Sequence, residues 1–315
     1  MASEQPISTS VLDGIGSTSL VELRHLGSSN HARILIKMES ENPTGSMKDR
    51  MALAIIDAAE RDGQLNPGGR VVEYTGGSTG VSLALICGLK GYRLDIVTSD
   101  AFSREKRDHM QALGAKLMLV NSIDGGMDAA LTHAMIDAAR RLRQNTGAFW
   151  VDQLNNADQL IAYRALGEEI WRQTGGRVDA FVQSTGTAGS VRGVADALLD
   201  HNPNIHIVAV EPSESAVLSG GATGVHKIEG IGAGFVVPLW EPSVIDEIMT
   251  VSTREAMEMA RLLARRESMF AGTSTGSNLV AALRVAERLG PNATVVTLMC
   301  DSGLKYLSTV LYRDA

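Results

Sequence analysis

Short apolar runs alternate along this 315-residue chain with longer segments whose apolar residues recur at helical spacing. A first series comprises "RVVEYT", "STGVSLALICGLKG", "RLDIVTSD", "SREKRDHMQALG" and "AKLMLVN". A second series comprises "VDAFVQS", a helix predicted from Ser190 to Asp200, "IHIVAVEP" and "TVVTLMCD". Strand and helix patterns in alternation are typical of βαβ units around a mainly parallel sheet. We therefore predict an α/β fold with two sheets, and hence two domains.

The first series stops and the second begins within "GAFWVDQLNNADQ", from Gly147 to Gln159. Neither a low-complexity linker nor a repeat of fixed period marks a cleaner division of the sequence. The crossover between the two domains is therefore predicted in this segment. One continuous sheet is the alternative.

Composition excludes several classes of function. The net charge is −7 and the pI is about 5.5, which argues against a nucleic-acid partner, because such proteins usually concentrate Lys and Arg on one face. No apolar stretch approaches the roughly 18 residues that cross a membrane, and the polar start "MASEQPISTS" lacks the pattern of an export signal. Cys87 and Cys300 fit small buried residues rather than a disulfide framework. A cytoplasmic protein is expected.

Glycine and hydroxyl residues cluster where apolar runs meet helices, in "TGGSTG" (75–80), "STGTAGS" (184–190) and "AGTSTGS" (271–277). Ligands of parallel α/β sheets bind at the carboxyl ends of strands, so these turns predict one shared cleft. The second turn leads directly into a helix, whose free N–H groups suit a phosphate, although such turns also form without a ligand. Dinucleotide and P-loop spacings are absent from the sequence, which leaves a small phosphorylated cofactor.

Lys48 follows a turn that contains Pro43 and Gly45, and it stands at the head of an apolar helical run in "NPTGSMKDRMALAII". Partial desolvation there would lower the pKa of its amine and make it a nucleophile or Schiff-base former. A solvated helix cap is the alternative for Lys48 taken alone. A phosphate site together with such a lysine suggests pyridoxal phosphate.

The ordered motifs resemble those of the cysteine synthase (O-acetylserine sulfhydrylase) and cystathionine β-synthase family, which are fold type II pyridoxal phosphate enzymes. "NPTGSMKDR" resembles the lysine motif, "TGGSTG" the substrate loop and "GTAGS" the phosphate loop of that family. The segment from Glu211 to Pro238 is most similar to the cysteine synthase branch, and "GTSTG" and "DSGLKYLST" resemble the last two motifs. The resemblance runs from about residue 11 to 311.

The resemblance implies a tryptophan synthase β-like fold, in which open, mainly parallel twisted sheets are covered by helices. Residues 1–45 would form an N-terminal segment packing with the larger domain, and residues 46–150 a small, mobile, substrate-binding domain. Residues 151–315 would form the large cofactor-binding domain.

The resemblance also assigns roles to individual residues. Lys48 would hold the cofactor covalently and move the proton of the substrate α-carbon, while Ser274 would bond the pyridine nitrogen. Ser78 stands where the family has an asparagine that contacts the cofactor's ring hydroxyl. The cofactor phosphate would be held by Gly186, Thr187, Ala188, Gly189 and Ser190. The substrate α-carboxylate would be bound by Thr75, Gly76, Thr79 and Gln153.

The reaction that the resemblance implies is β-replacement on an activated serine, with O-acetyl-L-serine and sulfide giving L-cysteine and acetate. A neutral hydroxyl at Ser274 favours loss of a β-substituent over transamination. Gly76 and Ser78 depart from the family's TSGNTG loop, so three alternatives stay open. They are a cysteine desulfhydrase, β-replacement with another nucleophile, and a non-catalytic binding protein on the same fold.

The family further implies a homodimer, and a serine acetyltransferase is a possible partner. The seven histidines are scattered along the chain and show no metal-ligand spacing, so no metal is predicted.

Overall fold

The protein is described here from a computed structural model that covers residues 7–27, 30–122 and 127–313. Within these residues the strands are β1 Leu20–Glu22, β2 Arg33–Lys37, β3 Arg70–Tyr74, β4 Arg93–Ser99, β5 Lys116–Val120, β6 Phe149–Trp150, β7 Ala180–Ser184, β8 His206–Pro212, β9 Glu247–Val251 and β10 Thr294–Leu298. The α-helices are α1 Lys48–Arg61, α2 Ser78–Lys90, α3 Arg104–Ala112, α4 Ala129–Thr146, α5 Gln159–Thr174, α6 Gly189–His201, α7 Thr253–Glu267 and α8 Thr273–Leu289.

Two separate sheets organise these elements. One has four strands in the order β5-β4-β3-β6, and all of its strand pairs are parallel. The other has six strands in the order β1-β2-β10-β7-β8-β9 and is parallel except where β1 pairs antiparallel with β2. The sequence-based prediction of two mainly parallel sheets is confirmed, and the alternative of one continuous sheet is wrong.

Continuous apolar runs form strands in the interior of each sheet, where both faces are buried. Strands β3 and β7 are buried along almost their whole length, which matches continuous rather than alternating hydrophobicity. Helices α5 and α6 pack closely, since a Cβ atom at Gly193 would lie 2.7 Å from Cβ of Tyr163. Helix α6 spans Gly189–His201, one residue longer at each end than the sequence predicted. Within the described residues, no helix is both long and apolar enough to cross a membrane.

Candidate active site

The carboxyl ends of β3, β7 and β10 open into one cavity, as expected for strands that run parallel. The cavity has a volume of about 150 Å³. Ten of the twelve site residues predicted from the sequence line it: Lys48, Thr75, Gly76, Ser78, Thr79, Gln153, Gly186, Thr187, Ser190 and Ser274. The other two, Ala188 and Gly189, lie in the same turn as Gly186 and Thr187. The structure therefore brings the predicted residues together.

Lys48 is the first residue of α1, and the turn before it fixes its direction. Gly45 adopts a positive φ of 73°, which favours glycine, and its N–H donates to the carbonyl of Asn42. The amide of Thr44 donates to the Asp49 carboxylate at 2.8 Å, and Met47 N–H donates to the carbonyl of Cys300 at 2.9 Å. These bonds hold the start of α1 against the end of β10.

Burial lowers the pKa of the Lys48 amine, and the positive charge of Lys106 lowers it further. The negative charge of Asp301 acts in the opposite direction without cancelling the effect of burial. A lysine with a lowered pKa has more of its amine in the neutral, nucleophilic form near neutral pH. The residue thus has the position and the protonation behaviour expected of a Schiff-base lysine.

The turn between β7 and α6 fits a phosphate group. Within the described residues, no hydrogen-bond acceptor is found for three amide N–H groups of this turn, those of Thr187, Ala188 and Ser190. These groups lie at the N-terminus of α6, a helix of 13 residues. A Cβ atom at Gly186 would collide with the carbonyl of Gly230, so only glycine permits this close approach. The buried hydroxyl of Thr185 likewise has no hydrogen-bond partner in the part of the chain that the structure describes. Unused donors around a cradle of small residues are what an anion requires.

The turn between β3 and α2 presents hydroxyl groups to the cavity. Thr79 Oγ1 donates to Gln153 Oε1 at 2.8 Å, and Gln153 Nε2 donates to the carbonyl of Tyr74 at 2.8 Å. A Cβ atom at Gly76 would lie 2.7 Å from the ring of Phe102, which explains why no larger residue stands there. Ser78 Oγ donates to Asp301 Oδ2 at 3.0 Å. The serine in place of the family's asparagine is thus engaged by a carboxylate from across the cavity.

Ser274 lies in the first turn of α8 and is 5 % exposed. The neighbouring Thr275 accepts a hydrogen bond from the amide of Cys300 at 3.0 Å, which joins the start of α8 to the segment after β10. Ser274 therefore presents a neutral hydroxyl to the same cavity as Lys48.

A family model described as pyridoxal-phosphate dependent enzyme matches residues 11–301 of the chain. The chain belongs to this family. A cysteine synthase of Staphylococcus aureus (strain Mu50 / ATCC 700699) is 40 % identical over 300 residues, which are 95 % of each chain. The resemblance inferred from the sequence motifs and the predicted cofactor, pyridoxal 5'-phosphate, are confirmed.

Solved structures of the family are also similar to the chain. Cysteine synthase from Entamoeba histolytica aligns with a TM-score of 0.90 and 37 % identity, covering 99 % of this chain and 93 % of its own. An O-ureido-L-serine synthase aligns with a TM-score of 0.92 and 35 % identity, covering 98 % of this chain and 96 % of its own. A hydrogen sulfide-producing enzyme from Fusobacterium nucleatum aligns with a TM-score of 0.89 and 35 % identity, covering 96 % of this chain and 100 % of its own. The predicted fold type II class is confirmed.

Several residues that line the cavity of this pyridoxal-phosphate dependent enzyme were not predicted from the sequence. They are Lys106 at the start of α3, Glu229 in the segment before Gly230, and Asp301 and Tyr306 after β10. Asp301 and Tyr306 belong to "DSGLKYLST", so that motif carried a usable signal. Lys106 carried none, because it is an ordinary charged residue in a polar stretch. Glu229 lies in the segment from Glu211 to Pro238 that resembles the cysteine synthase branch, but nothing in that segment distinguished it as a residue of the site.

Proposed function

We propose that this enzyme catalyses β-replacement on an activated serine, with O-acetyl-L-serine and sulfide giving L-cysteine and acetate. The observation that carries the proposal is the position of Lys48, whose amine shares one cavity with a free phosphate cradle and a hydroxyl-rich turn. The 40 % identity to a cysteine synthase over 95 % of both chains supports the same reaction.

The bound cofactor supplies an electron sink that weakens the bonds at the substrate α-carbon. Lys48 would hold it covalently and then move the α-proton, for which a lowered amine pKa is suited. The cofactor phosphate would be bound by Gly186, Thr187, Ala188, Gly189 and Ser190. Ser274 would bond the pyridine nitrogen without imposing a charge on it, and Ser78 would act near the ring hydroxyl.

The substrate α-carboxylate would be bound by Thr75, Gly76, Thr79 and Gln153. The hydrogen bond between Thr79 and Gln153 leaves the Thr79 hydroxyl committed to an amide oxygen. Binding of a carboxylate there would redirect these polar groups toward the ligand and draw the turn inward, which excludes water from the reacting centre.

We also propose the domain division 1–45, 46–150 and 151–315, in which the middle part moves over the substrate. A homodimer, docking of a serine acetyltransferase and a cytoplasmic location belong to the same proposal. Light scattering of the purified enzyme tests the homodimer, and a monomer mass at micromolar concentration would contradict it.

The reaction is tested with the purified holoenzyme and four separate substrates: O-acetylserine, O-phosphoserine, serine and cysteine. We expect L-cysteine and acetate to form from O-acetylserine when sulfide is added. Pyruvate, ammonia and sulfide formed preferentially from cysteine would instead establish a cysteine desulfhydrase, the activity class suggested by the hydrogen sulfide-producing neighbour.

The role of Lys48 is tested with Lys48→Ala. We expect turnover to fall on the order of 10³-fold or more, because the base and the covalent attachment are both removed. The protein should also fail to retain a cofactor label after borohydride reduction and denaturation. Lys90→Ala is the matched control, since Lys90 pairs with Asp57 and Glu60 at the end of α2, outside the cavity. A labelled, active Lys48→Ala enzyme would refute the assignment.

A further inference from the structure

Few charged side chains face the cavity. Among the described residues that line it, the cationic side chains are Lys48 and Lys106, and the anionic ones are Glu229 and Asp301. Lys48 is assigned to the cofactor in the proposed function. Lys106 is therefore the cation that could meet a negatively charged part of the substrate.

Lys106 is held in place by contacts on several sides. It is 2 % exposed, and a Cβ atom at Gly77 would collide with its aliphatic stem. Its Nζ donates to Glu229 Oε2 at 2.7 Å and lies 4.1 Å from the centroid of the Tyr306 ring. The Tyr306 hydroxyl in turn donates to Asp301 Oδ2 at 2.8 Å. The ammonium group thus sits between a carboxylate and an aromatic face.

The ion pair with Glu229 neutralises the charge of Lys106, which is the cation of the cavity lining that is not assigned to the cofactor. The Glu229 side chain is 12 % exposed, so solvent screens the pair weakly. Asp301 adds a second carboxylate to the lining of the cavity. A β-substituent that carries two negative charges would meet two carboxylates, and among the described residues that line the cavity no ammonium group is left to bind it. An acetyl group carries no charge and meets no such repulsion.

We propose that Glu229, by pairing with Lys106, is a specificity-determining residue that restricts the β-substituent of the intact substrate to groups without a charge, such as an acetyl ester, and excludes phosphate. This inference rests on the proposed β-replacement function and names the substrate class of the same site. It assigns discrimination between O-acetyl-L-serine and O-phospho-L-serine to one ion pair.

The variant Glu229→Gln tests the inference. The amide oxygen of Gln can still accept from Lys106 Nζ, so the local packing is retained while the negative charge is lost. We expect the ratio of kcat/KM for O-phospho-L-serine to that for O-acetyl-L-serine to rise on the order of tenfold. Glu229→Ala, which removes the carboxylate without adding an amide, is expected to raise the same ratio.

Binding of inorganic phosphate to the holoenzyme, measured by calorimetry, gives a readout independent of turnover. We expect phosphate to bind Glu229→Gln on the order of tenfold more tightly than wild type. The double variant Lys106→Met with Glu229→Gln should lose that gain. Glu247→Gln is the matched control, because Glu247 pairs with Arg288 outside the cavity, and it should behave as wild type.

Wild-type enzyme that uses O-phosphoserine as well as O-acetylserine would overturn the inference. Phosphate affinity in Glu229→Gln equal to that of wild type, or a gain that persists in the double variant, would overturn it as well. If wild type formed no cysteine from O-acetylserine, the proposed function would fail, while the phosphate titration would still decide the role of Glu229.

Discussion

Replacing Glu169 by Gln should destabilise the protein strongly, because Glu169 is the centre of a buried ionic network. It accepts from Arg50 through both oxygens at 2.8 Å, and Lys37 Nζ lies 2.7 Å from Oε2. Arg50 also pairs with Glu39 at 2.7 Å. The network joins β2, α5 and α1, and α1 is the helix that begins with Lys48.

The size of the effect follows from the pKa of Glu169. Burial alone would raise it, but the hydrogen bond and charge of Arg50, together with Lys37, lower it from 4.5 to about 2. At 1.36 kcal/mol per unit, ionisation contributes about 3 kcal/mol to the free energy of unfolding. Because the folded pKa is depressed, this contribution is complete above pH 4.5 and is lost as the pH falls through 2.

Urea unfolding followed by circular dichroism measures this contribution. Glu169→Gln should be about 3 kcal/mol less stable than wild type at pH 7, and the difference should narrow to about 1.5 kcal/mol at pH 3. The control is Asp108→Asn, which breaks the exposed Arg104–Asp108 pair and should cost less than about 1 kcal/mol. A Glu169→Gln protein no less stable than Asp108→Asn, or a difference independent of pH, would refute the reasoning.

Two further stability changes follow from local geometry. Ala188 has a φ of 66° at the start of α6, a backbone conformation that is strained for a residue with a Cβ atom. Ala188→Gly should therefore raise the free energy of unfolding of the apoenzyme by about 1 kcal/mol, and a lower free energy of unfolding would contradict this reasoning. Burial lowers the pKa of Lys305 to about 8, and its Nζ has no hydrogen-bond partner within the described residues. Lys305→Met should therefore raise the free energy of unfolding by about 3 kcal/mol below pH 8. Urea denaturation at pH 7 and at pH 10.5 measures this gain, which should be smaller at pH 10.5 because the lysine then loses its charge in the folded and the unfolded state.

The fold could be predicted from the sequence because its determinants are local. Continuous apolar runs such as β3 and β7 indicate strands covered on both faces, and the spacing of Val191, Val194 and Leu198 indicates a helix. The turns that end these strands contain the predicted ligand-binding residues, and parallel strands bring their carboxyl ends to one edge. Topology therefore turns separate motifs into a single predicted site.

The pairings across the cavity could not be predicted in the same way. Lys106 and Glu229 are 123 residues apart, and Ser78 and Asp301 are 223 residues apart. Neither pair has a spacing or a periodicity that marks it, because each depends on how helices next to the four-stranded sheet face segments of the six-stranded one. Such contacts are decided by the tertiary arrangement.

Both pairings span the cavity from α2 or α3 to segments next to the six-stranded sheet, so the domain movement proposed above would separate both pairs. Loss of the Lys106–Glu229 pair would then loosen the closed arrangement as well as change the charge. Lys106→Met and Glu229→Gln both remove the ion pair, but only Glu229→Gln leaves in the cavity a positive charge that residue 229 no longer neutralises. If phosphate binds more tightly to Glu229→Gln and more weakly to Lys106→Met, the charge of residue 229 causes the discrimination between O-acetyl-L-serine and O-phospho-L-serine. If the phosphate affinity changes equally in both variants, the closing of the cleft causes it.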